Sequence, residues 1–231
     1  GPDLYQDIFD WDIRTWSHAL EIWDKEIDGE KHCLEIGANK GGLSLWLALN
    51  GHTCLCTDLD NPQERAEAIH NKHQVGHLID YGALDILTLM PNPPNQVFDV
   101  IVFKSILGGI SRDKKLHLAK EAITNMYTLL KPGGTILFAE NLRGSFMHRL
   151  ARKLFVKWGY SWNYLTVNEL EDLFSDFESV EIKATGFVTA FGKGNRLSGF
   201  LGFFDQWLFN PLFGKRMKYV GYGKGRKRKE T

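Results

Sequence analysis

The 231-residue sequence has little cysteine, no excess of either charge and no long uncharged apolar run, and each shortage excludes something. Its three cysteines, Cys33, Cys54 and Cys56, lie inside two apolar stretches without the spacing of a zinc site or a redox pair, so they read as small core residues of a reducing compartment. Lysine plus arginine equals aspartate plus glutamate at 28 each, so no global field steers the protein toward nucleic acid or acidic lipid, and any steering is local. No stretch has the uncharged length that a bilayer crossing requires, and the acidic beginning lacks a charged-then-apolar signal peptide. The expectation is a cytoplasmic protein, with peripheral contact at a membrane surface left open. The leading Gly1-Pro2 pair reads as a cleavage scar. There is no internal repeat, and 43% hydrophobic residues at this length predict one domain with a large core.

What the sequence does contain is an alternation of short apolar strands and helices. Trp11, Ile13, Trp16, Leu20 and Trp23 recur at helical spacing between Asp10 and Ile27. A buried strand from Cys33 runs into Gly37, and a helix from Leu43 to Leu49 is closed by Gly51. A strand from His52 to Thr57 ends at Asp58, and Pro62 opens a helix reaching Gln74. Third and fourth strands cover His77 to Tyr81 and Phe98 to Lys104. A helix from Leu116 to Leu130 stops at Lys131-Pro132-Gly133-Gly134, before a fifth strand from Thr135 to Ala139. Beyond Asn141 come a basic helical segment from Arg143 to Trp158, a helix from Val167 to Phe177 and a strand from Glu178 to Thr185. An apolar stretch from Gly199 to Phe213, a last strand from Met217 to Tyr222 and a basic tail from Lys224 to Lys229 complete the chain. This order predicts an α/β fold, a parallel sheet with helices on both faces.

In such a sheet ligands bind outside the carboxyl ends of the strands, where the strand order reverses. Four groups of residues fall there. Glu35-Ile36-Gly37-Ala38-Asn39-Lys40-Gly41-Gly42 supplies a tight turn, a close backbone approach and helix N-terminal amides; its plainer alternative is a connecting loop. Asp58, followed by Leu59, is placed to accept from ribose hydroxyls, or else caps a helix beside Asn61. Asp85 can accept from an adenine amino group while Ile86 packs on the ring, or it is a turn aspartate. Lys104 and Ser105 offer backbone groups, or Ser105 is a cap.

As a set, with Leu130-Lys131-Pro132-Gly133-Gly134, these residues resemble the class I S-adenosylmethionine-dependent methyltransferase family over about residues 31–141. One departure is Asn39, where the family has glycine; asparagine tolerates positive φ. A nicotinamide reading shares the strand-turn-helix start, but the turn lacks its third glycine and Leu130 to Gly134 would go unexplained. The resemblance implies a Rossmann-like seven-stranded, mostly parallel sheet with an antiparallel last strand. It also implies S-adenosylmethionine as cofactor, bound by Glu35, Gly37, Ala38, Asn39, Gly41, Asp58, Leu59, Asp85, Ile86, Lys104 and Ser105. Within a single domain over residues 1–231, residues 1–30 form a helical cap, 31–141 the cofactor core, 142–177 an acceptor-side lid, and 178–231 the last strands with an apolar insertion at 192–214.

The implied reaction is in-line methyl transfer to an oxygen or nitrogen of a small metabolite, sugar or lipid-linked acceptor. General-base candidates are Glu140 and His148, ahead of His117, with surface placement the plainer reading of the histidines. Lys104-Ser105-Ile106-Leu107-Gly108-Gly109 stands where metal-dependent relatives carry an acidic cluster, so no metal is expected. Trp11, Trp16, Arg143, Trp162 and Tyr164 are candidates for the acceptor pocket, or pack the lid onto the sheet. Apolar residues from Phe200 to Phe213 followed by basic ones suggest membrane contact through 199–229, or a buried helix before a solvated tail. Two competing readings are a nucleic-acid-binding protein using Lys224 to Lys229, which the balanced surface disfavours, and a non-catalytic module.

Overall fold

In the computed structural model, which describes residues 2–10, 12–88, 97–145, 162–186 and 218–229, the apolar runs form seven strands. They are β1 (His32–Ile36), β2 (Thr53–Asp58), β3 (Ile79–Ala83), β4 (Phe98–Lys104), β5 (Leu130–Asn141), β6 (Ser179–Thr185) and β7 (Val220–Arg226). The sheet order is β3-β2-β1-β4-β5-β7-β6. The first five strands pair in parallel, and β7 runs antiparallel between β5 and β6.

Strand side chains alternate between faces, and here both faces are covered, so the strands read as continuous apolar runs. In β4, Val100 and Val102 enter one core with Cys54, Cys56, Leu137 and Ala139. Ile101 and Phe103 enter the other with Leu34, Ile36, Ile136 and Phe138. The first face is covered by the N-terminal segment, α4 (Gly42–Leu49) and α5 (Gln63–Lys72). The second is covered by α6 (Leu107–Ile110), α7 (Leu116–Leu129) and α8 (Val167–Leu173). Thr166 and Glu169 form a reciprocal capping box that starts α8. Leu130 to Gly134, expected as a helix stop, is a bulged beginning of β5: the register slips between Phe98 and Val100, and Lys131 Nζ lies 2.9 Å from Asp99.

The N-terminal segment differs from expectation. Helix α1 (Pro2–Phe9) precedes the anticipated start, and Asp10 and Asp12 take positive φ, 66° and 46°, breaking the chain before α2 (Ile13–Trp16) and α3 (Leu20–Trp23). Trp23 donates from Nε1 to the Gly223 carbonyl at 3.0 Å, and Thr15 meets the Tyr219 hydroxyl at 3.0 Å, fastening this segment to β7.

The basic tail is also different. Lys224 and Arg226 belong to β7 and pair with Glu26, and Lys227 is only 7% exposed, its ammonium donating to the carbonyls of Tyr127 (2.9 Å) and Leu130 (2.7 Å). Glycine alternation makes the strand possible. A Cβ at Gly223 would stand 1.9 Å from the Glu181 carbonyl oxygen, and one at Gly225 would press on Phe177 and Ile136. The apolar stretch from Gly199 to Phe213 lies outside the described residues. No helix among the described residues is long and apolar enough to cross a membrane.

Candidate functional site

The strand order reverses between β1 and β4, which opens a crevice at their carboxyl ends. Leaving β1, Gly37, Asn39 and Gly41 take φ of 68°, 49° and 71°. Asn39 thus adopts the left-handed conformation that its side chain tolerates. Gly37 must be glycine on a second count, because a Cβ there would lie 2.5 Å from the Ile106 side chain at the exit of β4. Gly41 has a different task from the expected backbone approach to a ligand. A Cβ there would meet Ala66 and His70 of α5, and its carbonyl is hydrogen-bonded to His70 Nε2 at 2.8 Å. A carbonyl only accepts, so Nε2 carries the proton and Nδ1 accepts from the Tyr81 hydroxyl at 2.6 Å; burial lowers the His70 pKa, which favours this neutral ring.

Glu35 points its carboxylate at the N-terminus of α4. It accepts from Leu43 N (3.2 Å), Ser44 N (2.8 Å) and the Ser44 hydroxyl, and burial pushes its pKa up to about 7 against those hydrogen bonds. Its carboxylate therefore fastens α4 to β1. Asp58 holds the turn: one oxygen accepts from Asn39 N at 2.8 Å, the other from Leu59 N at 2.8 Å, and Arg65 stands 3.6 Å away. Leu59 itself is 75% exposed on the rim. The backbone of Asp58 accepts from Leu84 N at 2.7 Å, which brings Asp85 to the same rim, where its carboxylate accepts from Leu87 N at 3.0 Å. Gly37, Asp58 and Asp85 are thus linked through neighbouring hydrogen bonds. Ile86, expected beside a ring, is instead buried in the second core beneath α7, its carbonyl accepting from Asn125.

A cleft of about 190 Å³ lies between the glycine turn, the exit of β4 and the end of α1. Gly37, Ala38 and Asn39 form one wall, Lys104 and Ser105 another. The third wall, Asp7, Ile8 and Asp10, went unread in the sequence; the available signal was the Leu4, Ile8 and Phe9 spacing on a helix opened by proline. A Cβ on Gly42 would lie 2.1 Å from the Ile8 carbonyl oxygen, so this glycine is the seat of α1. Asp7 pairs with Lys72 (2.6 Å) and His73 (2.8 Å), and Asp10 pairs with Lys40 (2.8 Å). Lys104 Nζ donates to the Phe9 carbonyl at 2.8 Å and lies 5.2 Å from the centre of the Trp16 ring, and burial lowers its pKa to about 8. Ser105 takes φ 57°, a left-handed conformation of the kind that concentrates at functional sites, and accepts from Asn141 Nδ2.

Those catalytic and acceptor candidates that fall among the described residues do not line this cleft. Glu140 is 0% exposed, its oxygens accept from Leu107 N (2.7 Å) and Asn141 N (3.0 Å), and burial pushes its pKa up to about 7. It holds the start of α6 and does not line the cleft, so its carboxylate is not placed as a base there. His117 is exposed on α7; His148 and Trp11 lie outside the described residues. Trp16 is buried beneath Lys104, out of reach of an acceptor. Trp162 lies on Gly108 and Gly109, where a Cβ would meet its ring at 2.0 and 3.1 Å, which makes it a packing residue of α6. Arg143 is exposed, donating to the Tyr164 carbonyl and pairing with Glu169, both at 3.4 Å. Among the described residues, no cluster of histidine, cysteine and acids is arranged to hold a metal ion.

A family model described as a methyltransferase domain matches residues 11–178. In sequence, the chain is similar to the highly reducing polyketide synthase sor1 of Hypocrea jecorina, 28% identical over 133 residues, covering 54% of this chain and 5% of that much longer one. In fold, it is similar to the N-methyltransferase NodS of Bradyrhizobium japonicum, with TM-score 0.58, 18% identity, and coverage of 93% of this chain and 96% of that one. It is also similar to phosphoethanolamine N-methyltransferase 2 of Haemonchus contortus, solved with S-adenosyl-L-methionine, with TM-score 0.64, 15% identity, and coverage of 98% and 56%. A domain match over most of the chain, on a sheet whose crevice lies between β1 and β4, leads to one family: the chain belongs to the class I methyltransferases.

Proposed function

We propose that the protein transfers a methyl group from S-adenosylmethionine to an oxygen or nitrogen of a small metabolite, sugar or lipid-linked acceptor. The observation that carries this reading is the meeting of the glycine turn, Asp58 and Asp85 at one rim, beside a cleft that reaches Lys104. The residues suit the cofactor. Each Asp58 oxygen accepts one backbone hydrogen bond and keeps a lone pair for a ribose hydroxyl, Asp85 offers an acceptor for an adenine amino group, and Gly37 bares the backbone. When bound, S-adenosylmethionine supplies a methyl group on a sulfonium that is already a good leaving group. The protein's part is to bind, align the acceptor and exclude water.

Of the Lys224 to Lys229 run, Lys224 and Arg226 are paired with Glu26 and Lys227 is committed to backbone carbonyls, so a nucleic-acid reading would draw chiefly on the exposed Arg228 and Lys229. Calorimetry with S-adenosylmethionine and with a nicotinamide dinucleotide tests the cofactor, and product mass spectrometry with labelled cofactor and a cell extract tests the acceptor. Binding of the adenosyl cofactor and label on an oxygen or nitrogen are expected. Preference for the nicotinamide would refute the proposal.

A further inference from the structure

We infer that the protein has a second binding site, for the phosphoryl group of a small ligand, at the edge of the sheet opposite the β1/β4 crevice. Two runs that the crevice leaves unused meet there: Lys131-Pro132-Gly133-Gly134 at the start of β5 and the basic run that ends β7. They are joined through the backbone, Lys227 N donating to the Gly134 carbonyl at 2.8 Å and Gly133 N to the Arg228 carbonyl at 3.3 Å. Gly133 takes φ 73°, and a Cβ on Gly134 would lie 2.8 Å from the Lys131 carbonyl oxygen, so this stretch of backbone is bare by necessity. Beside the joint lies a cavity of about 140 Å³, lined by Lys31, Lys131 and Arg226, by Glu26 and Asp99, and by the glycine backbone.

Three cations thus meet two carboxylates, and both carboxylates are already engaged. Glu26 is shared between Lys224 (2.5 Å) and Arg226 (2.7 Å), and Asp99 accepts from Lys131 Nζ and His32 N, both at 2.9 Å. Burial alone would raise both carboxyl pKa values, yet the cations beside them hold both below the ordinary range. Lys31 makes no ion pair among the described residues, and Arg226 spends one guanidinium nitrogen on Glu26. Asp28 and Glu30, just before Lys31, are exposed and do not line the cavity. The exposed Arg228 and Lys229 add charge at its rim, where the Lys229 stem lies 3.2 Å from a Cβ position on Gly133. Donors therefore arrive from the beginnings of β1 and β5 and the end of β7. A phosphoryl group divides three strong acceptor oxygens among donors on different sides, whereas a carboxylate has two in one plane. An enclosed cavity suits a small ligand; a polyanion needs a groove that tracks its backbone. Asp99 here and Lys104 in the crevice are five residues apart on β4, about 16 Å at about 3.3 Å per residue, so the two sites can fill together.

The test is titration of the full chain with inorganic phosphate at constant ionic strength, followed by amide NMR shifts. Saturable shifts are expected at Lys31, Gly133, Gly134 and Arg226, with Kd of about 1 mM, and should persist with excess S-adenosylmethionine. Lys31→Met, at a partly exposed position without an ion pair, should weaken phosphate by about 3- to 10-fold; Lys31→Arg should keep it, and Asp99→Asn, which removes a negative charge, should strengthen it. Retention on phosphatidic acid vesicles that depends on Lys31 would assign the phosphoryl group to a lipid headgroup, and phosphate binding without retention would assign it to a soluble ligand; either upholds the site. Absence of saturable shifts, shifts confined to Arg228 and Lys229, or affinity indifferent to both Lys31→Met and Asp99→Asn overturns the inference. Displacement of phosphate by S-adenosylmethionine, or oligonucleotide binding that survives Lys31→Met without any phosphate saturation, overturns it too. Should Asp99→Asn loosen the start of β1, the wild-type shift map and the two Lys31 variants decide. Failure of S-adenosylmethionine to bind would refute the function proposed above and leave this site standing.

Discussion

Glu140→Gln separates a structural carboxylate from a catalytic one. The group is 0% exposed and accepts from the amides of Leu107 and Asn141, and burial carries its pKa from the ordinary 4.5 to about 7. Across that window the folded state holds a proton that the unfolded chain has released. The associated stability is fully present below pH 4.5 and is lost as pH rises through about 7. At about 1.4 kcal/mol per pH unit, the loss approaches 3 kcal/mol. Glutamine does not titrate. Its amide nitrogen must also face one of the two backbone N–H groups, at a cost of about 1–3 kcal/mol that does not vary with pH. Urea denaturation between pH 4.5 and 8 should show the stability difference between the two proteins moving in favour of Glu140→Gln by about 3 kcal/mol as pH rises. Curves that run parallel would refute the assignment of a desolvated carboxylate. Methyl transfer by the folded variant, measured with the acceptor found by labelling, should stay within a few-fold of wild type; a loss of about 100-fold or more with cofactor binding intact would make Glu140 a base.

Asp58→Ala removes the acceptor for Asn39 N and the candidate ribose contact, so calorimetry should show S-adenosylmethionine affinity weakened by about 1–3 kcal/mol; unchanged affinity removes Asp58 from the site. Gly42→Ala drives a Cβ to 2.1 Å from the Ile8 carbonyl oxygen, and a stability loss of about 1–3 kcal/mol with faster limited proteolysis within residues 2–9 should follow. Lys227→Met strands the carbonyls of Tyr127 and Leu130 and should lower Tm by several degrees in a thermal scan, whereas Arg228→Ala, at an exposed position, should not.

Strands β1, β2 and β4 were legible in the sequence because they are apolar runs packed on both faces, and glycine closes β1 and aspartate β2. The placement of the candidate site was legible to the same extent, since Gly37, Asp58 and Asp85 sit at or just beyond strand ends whatever else packs around them. Misreadings arose where a distant partner decides the outcome. The Gly221-Tyr222-Gly223-Lys224-Gly225 run has low strand propensity, yet β5 and β6 pair on either side of it and the Glu181 carbonyl leaves room there only for glycine. Gly41 and Ile86 stand at strand-end positions but face helices, and Glu35 both lines the cleft and holds α4, which only the placement of α4, α5 and α7 reveals. Helix α1 carries an apolar face in Leu4, Ile8 and Phe9, but that it docks on a bare Gly42 far along the chain is visible only in the fold.

The most direct measurement is a crystal structure of the protein with S-adenosylhomocysteine. Electron density for the adenosine between Asp58 and Asp85, with the amino-acid end running past Gly37 toward Lys104, is the predicted result. Density at another surface, with the β1/β4 crevice closed by side chains, would contradict it.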